Sequence, residues 1–273
     1  MANSKEDNTV IVLHTGYSST IIEEKDENLP FVRANCSCVL VTGSKNIIVD
    51  TMTPWDTNLI LLSLEANGLT PDDINYVIST HGHSDHTGNN NLFLKAKHIV
   101  GYCISVKDKY FLHPFDKGLP FEIDEGITVI PTPGHTADDV SVVIKTEDMG
   151  TVVIAGDIFE REEDIEQPEI WRSCGSVNPE QQENSRAVIA NIADYIVPGH
   201  GPIFKVTDGM KKKLSQNLSS ELHVSRYSLL AEVRRSRSLI YWLRFFGWKK
   251  YGKGKYSNSK NLKDSKIFKI ERI

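Results

Sequence analysis

The sequence predicts a mixed α and β fold that forms one large domain. Short runs rich in β-branched apolar residues recur along the first two hundred residues and are typical of strands. Two longer segments begin near a proline, as helices often do. The chain has 273 residues, of which 40% are hydrophobic and 25% charged, so it can bury a substantial core.

Nine strands and two helices follow from this pattern. The strands 139–146 and 150–156 are predicted to form a hairpin through the turn at 147–150. One helix is predicted over 55–67, between Pro54 and Gly68, and the other over 179–193, opening at Asn178-Pro179. The other strands are expected at 8–15, 32–42, 45–50, 73–80, 98–103, 127–131 and 194–198.

The most informative segment is His81-Gly82-His83-Ser84-Asp85-His86, which follows the predicted strand 73–80. We expect Gly82 to allow a tight turn that places His81 and His83 on one side. Asp85 and His86 come one step later and can face a second metal. A short helix is expected to begin at Gly88.

Three more ligand-type residues occupy similar positions after β-rich runs. His135 and His200 each follow a Pro-Gly pair, and Asp157 follows the run 151–155. Loops at strand ends commonly build metal sites, because a rigid sheet holds them in place. Five of the nine histidines and two aspartates belong to this set, whose donors suit two ions such as Zn²⁺. Isolated His and Asp residues often mark only turns, but turns do not explain all seven in this order.

This order of residues resembles the metallo-β-lactamase superfamily, roughly over residues 8 to 206. The resemblance implies an α+β fold of the αββα sandwich type, with two mixed β-sheets back to back and helices on the outer faces. It also implies a metal-dependent hydrolase. The implied ligands are His81, His83 and His135 for one metal, Asp85, His86 and His200 for the other, and Asp157 as a bridge. Asp50 matches the family's upstream aspartate, which we interpret as orienting a ligand imidazole.

The implied cofactors are two Zn²⁺ ions per chain, with iron or manganese as alternatives. A water between two such ions has a pKa far below its bulk value of ~15.7, so hydroxide forms at physiological pH. Asp85 and Asp157 are the expected catalytic carboxylates. Asp85 is placed to hold the nucleophile or pass its proton, and Asp157 keeps the ions close together. No GxSxG elbow, P-loop or Rossmann fingerprint occurs in the sequence.

Three segments, 79–89, 156–161 and 197–202, resemble a small animal subfamily associated with endonucleolytic cleavage of histone pre-mRNA 3′ ends. The resemblance implies an endoribonuclease that acts on RNA phosphodiesters, and a homodimer. The acidic character of the catalytic domain argues against RNA binding unless metals, a local basic patch or the tail compensate.

Other functions remain open. One is a thioester or lactone hydrolase similar to glyoxalase II. Another is a mononuclear-iron persulfide dioxygenase, in which only His81, His135 and Asp157 would be ligands. A third is a non-catalytic binding module that keeps the scaffold. Glu160 begins an acidic run that ends at Asp164, and we interpret this run as a solvated loop.

Charge divides the chain in two. Residues 1–209 carry 14 Lys and Arg against 32 Asp and Glu, whereas residues 210–273 carry 17 against 4. We therefore predict a catalytic domain at 1–208 and a basic tail at 209–273. Basic residues flank the aromatic segment 239–248, a pattern that suits RNA or an anionic membrane surface. The alternatives are a tail that stays in solvent, packs on the acidic domain, or is no part of the natural protein.

The remaining features concern location. No apolar run approaches the ~20 residues of a transmembrane helix, so no membrane span is expected. The first residues lack an apolar signal region, and the four cysteines show no disulfide framework. We expect a cytoplasmic or nuclear protein that is not secreted.

Overall fold

Two β-sheets pack face to face, and each carries a helix on its outer face. The computed structural model describes residues 7–19, 23–26 and 29–216, and every structural statement below concerns these residues. Of the predicted tail, residues 217–273 lie outside the described residues, and so does the aromatic segment 239–248. The predicted domain boundary and the proposed contacts of the tail therefore stay predictions.

The strands are short and numerous. In chain order they are β1 (Thr9–His14), β2 (Tyr17–Ser18), β3 (Glu23–Asp26), β4 (Leu29–Phe31), β5 (Ala34–Asn35), β6 (Cys38–Thr42), β7 (Ile47–Val49), β8 (Tyr76–Ser79), β9 (Lys97–Val100), β10 (Cys103–Val106), β11 (Lys109–Phe111), β12 (Phe121–Asp124), β13 (Ile127–Pro131), β14 (Val140–Lys145), β15 (Thr151–Gly156), β16 (Tyr195–Pro198) and β17 (Phe204–Lys205).

Five α-helices connect or cover them: α1 (Thr57–Ala66), α2 (Ser84–Thr87), α3 (Glu169–Ser173), α4 (Pro179–Ile192) and α5 (Asp208–Ser215). Short 3-10 turns occur at Pro54–Asp56, Pro71–Asp73, Asn90–Leu92, Phe115–Lys117 and Glu162–Ile165. None of these helices has the length and apolar character needed to cross a bilayer.

The first sheet contains seven strands in the order β1-β6-β7-β8-β9-β10-β11, and the second contains six in the order β12 to β17. Strands β7, β8 and β9 run parallel, as do β15 and β16, whereas the other pairs are antiparallel. Parallel neighbours bring their carboxyl ends to the same edge of a sheet. That edge is where the residues after β7, β8, β15 and β16 meet.

The core between the sheets is aliphatic because both inner faces carry β-branched side chains. Val39, Val49 and Ile78 of the first sheet belong to one buried cluster with Val142 and Ile154 of the second. Burying such side chains stabilises a fold by about 1.5–3 kcal/mol each. This layer fixes the two sheets against each other and so fixes the loops at their shared edge.

Two outer layers complete the sandwich. Ile60 and Leu64 of α1 pack on the outer face of the first sheet, in a cluster that includes Leu40 and Ile48. On the other side, Ile189 and Ala190 of α4 pack on the outer face of the second sheet with Val153 and Ile196. The predicted αββα sandwich is confirmed.

Most predicted elements are present, with shifted ends. The hairpin is confirmed as β14 and β15, and the two predicted helices are confirmed as α1 and α4. The strand predicted over 32–42 is wrong in extent, because the chain there forms β5 and β6 as separate strands. The short helix predicted from Gly88 is present only as the 3-10 turn at Asn90–Leu92. Helix α2, which was not predicted, spans Ser84–Thr87 and so contains Asp85 and His86.

Candidate metal centre

The structure brings together all seven residues that the sequence proposes as ligands. His81, His83 and His135 form one group, which we name the first half-site. The Nδ1 atom of His83 lies 2.8 Å from Nε2 of His81 and 3.1 Å from Nε2 of His135. Three ring nitrogens therefore converge on one point from two loops, one after β8 and one after β13.

A second group lies beside the first and consists of Asp85, His86 and His200, which we name the second half-site. The Oδ2 atom of Asp85 is 3.8 Å from Nε2 of His86 and 3.8 Å from Nε2 of His200. Helix α2 supplies the first two residues, and the loop after β16 supplies His200.

Asp157, which directly follows β15, contacts both half-sites. Its Oδ2 atom lies 3.4 Å from Nε2 of His135 and 3.7 Å from Nε2 of His81. Its carboxylate also reaches the second half-site, with Oδ1 3.2 Å from Nε2 of His86 and Oδ2 3.2 Å from Nε2 of His200. One carboxylate thus lies between two sets of ligand-type atoms, which is the arrangement that a shared ligand of two cations requires.

The unpaired polar atoms of the site indicate that it fits a divalent cation. Among the described residues, Nε2 of His86, Oδ1 of Asp157 and Nδ1 of His135 are buried without a hydrogen bond, although the first two atoms lie 3.2 Å apart. Buried polar atoms are nearly always satisfied, so such atoms call for a ligand. In the first half-site the ring nitrogens face one another. A cation that accepts their lone pairs would satisfy all of them. Imidazole and carboxylate are the donor types that Zn²⁺ and similar ions take.

Each imidazole of the second half-site is held from behind. The Nδ1 atom of His86 is 3.0 Å from Oδ2 of Asp50, and Asp50 also accepts the backbone N–H of Thr80 at 2.8 Å. Nδ1 of His200 lies 3.0 Å from the carbonyl oxygen of Asn35, to which it can donate. Because these contacts engage Nδ1, they leave Nε2 free to face the centre. The structure places Asp50 where the sequence-based interpretation put it, behind a ligand-type imidazole.

His81 has a backing residue that the sequence analysis missed. Its Nδ1 atom lies 3.2 Å from the hydroxyl oxygen of Thr80, and the carboxylate of Asp139 lies further behind, with Oδ1 4.0 Å from Nδ1. Asp139 is buried and also accepts the backbone N–H groups of Thr136 and Gly134, at 2.6 and 3.1 Å. It therefore organises the loop that carries His135. A signal existed in the sequence, since an aspartate opens the strand directly after the His135 loop, but the spacing alone names no partner for it.

Helix α4 supports the loop that carries His135 and the loop that carries Asp157, through polar side chains on its buried face. The amide of Gln182 donates to the backbone carbonyl of Asp157 at 2.9 Å, and the hydroxyl of Ser185 donates to the carbonyl of Pro133 at 2.7 Å. Gln182 is fully buried, so its contact with Asp157 is shielded from water. Sequence reasoning predicted this helix but gave no indication of these contacts.

Burial and neighbouring charges move the pKa values of the cluster in opposite directions. Burial lowers the pKa of His135 to about 4, against the pull of Asp157. Burial also disfavours the charged form of His200, but the Asp157 carboxylate outweighs it and raises the pKa of His200 to about 9. The pKa of Asp157 is held well below its usual range because the imidazoles of His86, His200 and His81 outweigh its desolvation. The centre therefore concentrates negative charge on Asp157.

The interpretation of residues 160–164 as a solvated loop is wrong, because two of its acidic residues are buried. Glu160 is 1% exposed and Asp164 is fully buried. Burial and the nearby Asp157 raise the pKa of Glu160 to about 8. Asp164 pairs with the buried guanidinium of Arg186, with Oδ2 3.1 Å from Nη1. The acidic residues at the two ends of this run are thus buried, and Glu162 and Glu163 between them are exposed.

In the described part of the chain, the centre is open to solvent over two residues. His83 is exposed and the side chain of Asp85 is 19% exposed, whereas the other five ligand-type residues are buried. The open side of the centre therefore lies at His83 and Asp85.

An αββα sandwich with a cluster of this kind at the shared edge of its sheets defines a class of metal-dependent hydrolases. Residues 32–200 match the Metallo-beta-lactamase superfamily, which covers more than half of the chain, and the protein belongs to this superfamily. Membership implies that the site binds divalent metal.

Particular relatives agree with this assignment. The chain is 44% identical to metallo-beta-lactamase domain-containing protein 1 of Xenopus laevis over 200 residues, which cover 72% of this chain and 82% of that protein. It is 42% identical to the Homo sapiens protein of the same name over 162 residues, which cover 59% of each chain. The alignment thus spans less than two thirds of the human relative.

A solved structure shares the fold. The crystal structure of a metallo-beta-lactamase-like protein from Thermotoga maritima superposes with a TM-score of 0.54 at 22% identity, covering 73% of this chain and 99% of that one. At this identity the likeness concerns the fold alone.

Proposed function

We propose that this protein is a divalent-metal-dependent endoribonuclease that hydrolyses RNA phosphodiesters, of the kind that forms histone pre-mRNA 3′ ends, and that it binds two metal ions, Zn²⁺ in at least one half-site. One observation carries the proposal: the carboxylate of Asp157 lies between two half-sites, within 3.4 Å of Nε2 of His135 on one side and 3.2 Å of Nε2 of His86 on the other. Two adjacent cations suit a phosphodiester because its oxygens can be held on both sides of the phosphorus.

The resemblance of segments 79–89, 156–161 and 197–202 to the subfamily associated with histone pre-mRNA cleavage supports the choice of substrate, and the superfamily match over residues 32–200 contains the whole site. The exposure of His83 and Asp85 at the open side also supports it, because a polymer can cross an exposed edge without threading into a closed pocket. RNA binding by an acidic domain requires compensating positive charge, and bound metal ions supply part of it.

When bound, two divalent ions supply Lewis acidity to the phosphoryl oxygen and lower the pKa of a coordinated water. The chain's own residues position the reaction. Asp157 keeps the half-sites at a fixed separation, and Asp50 and the carbonyl of Asn35 hold His86 and His200 in one orientation.

Asp85 is placed to move the proton. Its carboxylate is partly exposed and lies at the open side of the site, so it can accept a proton from the attacking water. Water adds to phosphorus, the bond to the 3′ oxygen breaks, and the proton passes through Asp85 to that leaving oxygen. The products are a 5′-phosphate and a 3′-hydroxyl.

The test is cleavage of end-labelled single-stranded RNA by metal-quantified protein. We expect cleavage by the native chain, loss of cleavage with a chelator, and at least about a hundredfold loss in Asp85→Asn and Asp157→Ala, in line with the contribution of a positioned acid–base group. Asp108→Asn serves as the matched control, because Asp108 is an exposed aspartate in the turn between β10 and β11.

Product ends decide between this proposal and a contaminating nuclease. Metal-dependent cleavage that leaves 5′-phosphates and is lost in both site variants supports the proposal. Absence of cleavage by fully metal-loaded protein contradicts it, and hydrolysis of a thioester or lactone by the same preparation would assign the site to that class instead. Equal cleavage by the native chain and Asp157→Ala would identify a contaminant.

A further inference from the structure

Glu160 lies beside the second half-site, although it is no member of the predicted ligand set. A carboxylate oxygen of Glu160, one of Asp157 and a ring nitrogen of His200 all lie within 4.8 Å of one another, and all three residues are buried. A buried carboxylate next to a second carboxylate is unfavourable unless a positive charge compensates. A cation held by these three groups would favour the charged form of Glu160, which burial beside Asp157 otherwise disfavours.

Backbone contacts fix Glu160 in this place. Its carbonyl accepts the N–H of His200 at 2.9 Å, so the two residues run side by side. Its own N–H donates to Oδ2 of Asp164 at 2.8 Å, and Asp164 is anchored by Arg186. The thiol of Cys174 contacts the carboxylate of Glu160. Glu160 is thus oriented by its surroundings, as a residue with a fixed role would be.

With Glu160 included, the two half-sites differ in donor chemistry. The first offers three imidazoles and the carboxylate of Asp157. The second offers the imidazoles of His86 and His200 and the carboxylates of Asp85 and Asp157, and Glu160 adds a third carboxylate on the side of Asp157 and His200. Imidazole-rich sets suit Zn²⁺, whereas carboxylate oxygens favour harder ions such as Mn²⁺. Nε2 of His86 and Oδ1 of Asp157, two buried atoms that make no hydrogen bond, face each other at 3.2 Å in the second half-site.

We propose that Glu160 is an additional metal ligand, and that it makes the second half-site selective for an oxygen-preferring divalent ion, Mn²⁺, while the first half-site takes Zn²⁺. This inference rests on the metal centre of the proposed function and not on its RNA substrate. Metal binding is measured without RNA, so the two proposals can fail separately.

The experiment starts from metal-free full-length protein loaded with one equivalent of Zn²⁺ and then titrated with Mn²⁺. The electron paramagnetic resonance signal of free Mn²⁺ reports the unbound ion. We expect the native chain to bind one equivalent of Mn²⁺, and Glu160→Gln to bind it at least about tenfold more weakly while keeping its zinc. Glu162→Gln, which changes an exposed carboxylate two residues away, is the matched control and should bind Mn²⁺ as the native chain does.

Retention of zinc by Glu160→Gln shows that the variant is folded. Equal Mn²⁺ affinity in Glu160→Gln and the native chain overturns the ligand role. Manganese K-edge absorption of the native chain provides a test that needs no variant. Two imidazoles in the manganese shell are expected, whereas three would place the ion in the first half-site and overturn the selectivity. In a final competition, a second equivalent of Zn²⁺ is added at the same concentration as Mn²⁺. Displacement of the bound Mn²⁺ would also overturn the selectivity.

Discussion

The carboxylate of Asp50 lies directly behind the ring of His86, with Oδ2 3.0 Å from Nδ1. Asp50 follows β7 and has a backbone φ of 59°, in the left-handed region that Asp and Asn tolerate better than most residues. The same carboxylate accepts the N–H of Thr80, which directly precedes His81. One side chain at the end of β7 thus aligns the loop after β8 and orients an imidazole of the second half-site.

We expect Asp50→Asn to lower metal affinity at the second half-site by about ten- to a hundredfold, with little change in the fold. Asparagine tolerates the same backbone conformation, but its NH₂ group must face either the N–H of Thr80 or Nδ1–H of His86. Metal content after dialysis against a competing chelator measures the effect. Asp108→Asn controls for a change of one surface charge. Unchanged metal retention in Asp50→Asn would show that Asp50 does not orient the His86 imidazole for metal binding.

Gly134 is required by the close approach of the His135 loop to helix α4. Its φ is 150°, and a Cβ atom there would lie 2.3 Å from the backbone of Gln182. We expect Gly134→Ala to push the loop off the helix, to weaken metal binding at the first half-site at least about tenfold, and to destabilise the protein by about 1–3 kcal/mol.

Gly82 offers the matched control for this substitution. It lies between His81 and His83, but a Cβ atom there would meet nothing within 4 Å. The tight turn that the sequence assigned to Gly82 does not depend on glycine, so Gly82→Ala should keep its metal and its stability. Metal content and denaturant unfolding of the two variants distinguish these cases. Metal loss in Gly82→Ala of the size expected for Gly134→Ala would show that loop flexibility, and not packing on α4, governs the site.

The seven ligand-type residues could be found from the sequence because each lies near the end of a strand, and these strands are recognisable from their runs of apolar residues. His81 follows one such run and Asp157 another, and the topology of parallel strands brings their ends together. The supporting residues could not be found in this way. Gln182 reaches Asp157 across 25 positions of chain, and only the packing of α4 on the second sheet creates that contact.

Short strands and buried acids show where local pattern fails. The strands β10, β11 and β12 have three or four residues each, too few for a period of two to be recognised. Glu160 and Asp164 belong to an acidic run, which composition assigns to solvent. Their burial depends on Arg186, 22 residues after Asp164, and on the centre itself, neither of which the run reveals.

Metal removal should destabilise the protein. Ligands that bind only the folded state stabilise it by RT ln(1 + [L]/Kd), about 2.7 kcal/mol at a hundredfold excess over Kd. We expect a chelator to lower the melting temperature by several degrees and added Zn²⁺ to restore it. The Asp157→Ala variant, which lacks the shared carboxylate, should respond less to either addition. Equal chelator shifts in this variant and the native chain would place the stabilising metal elsewhere.

Removing one partner of the buried ion pair between Arg186 and Asp164 should destabilise the protein far more than removing one partner of an exposed pair. Arg186 is 1% exposed, donates to the carbonyl of Ile158 at 2.8 Å, and stacks over the ring of Phe159 with 4.1 Å to its centroid. Replacing one partner leaves the other charge buried and unpaired. We therefore expect Arg186→Met to cost about 3–5 kcal/mol of unfolding free energy.

The pair of Lys213 and Glu166 is the matched control for this prediction, since its side chains are 43% and 73% exposed. Lys213→Met should cost at most about 1 kcal/mol. In a double-mutant cycle, Arg186→Met and Asp164→Leu together should cost less than the sum of the two single changes, because no unpaired charge remains. Additive costs would show that Arg186 acts through its contacts with Ile158 and Phe159. Helix α4 also carries Gln182. Metal affinity measured on the same variants therefore shows whether loss of the Arg186–Asp164 pair weakens metal binding.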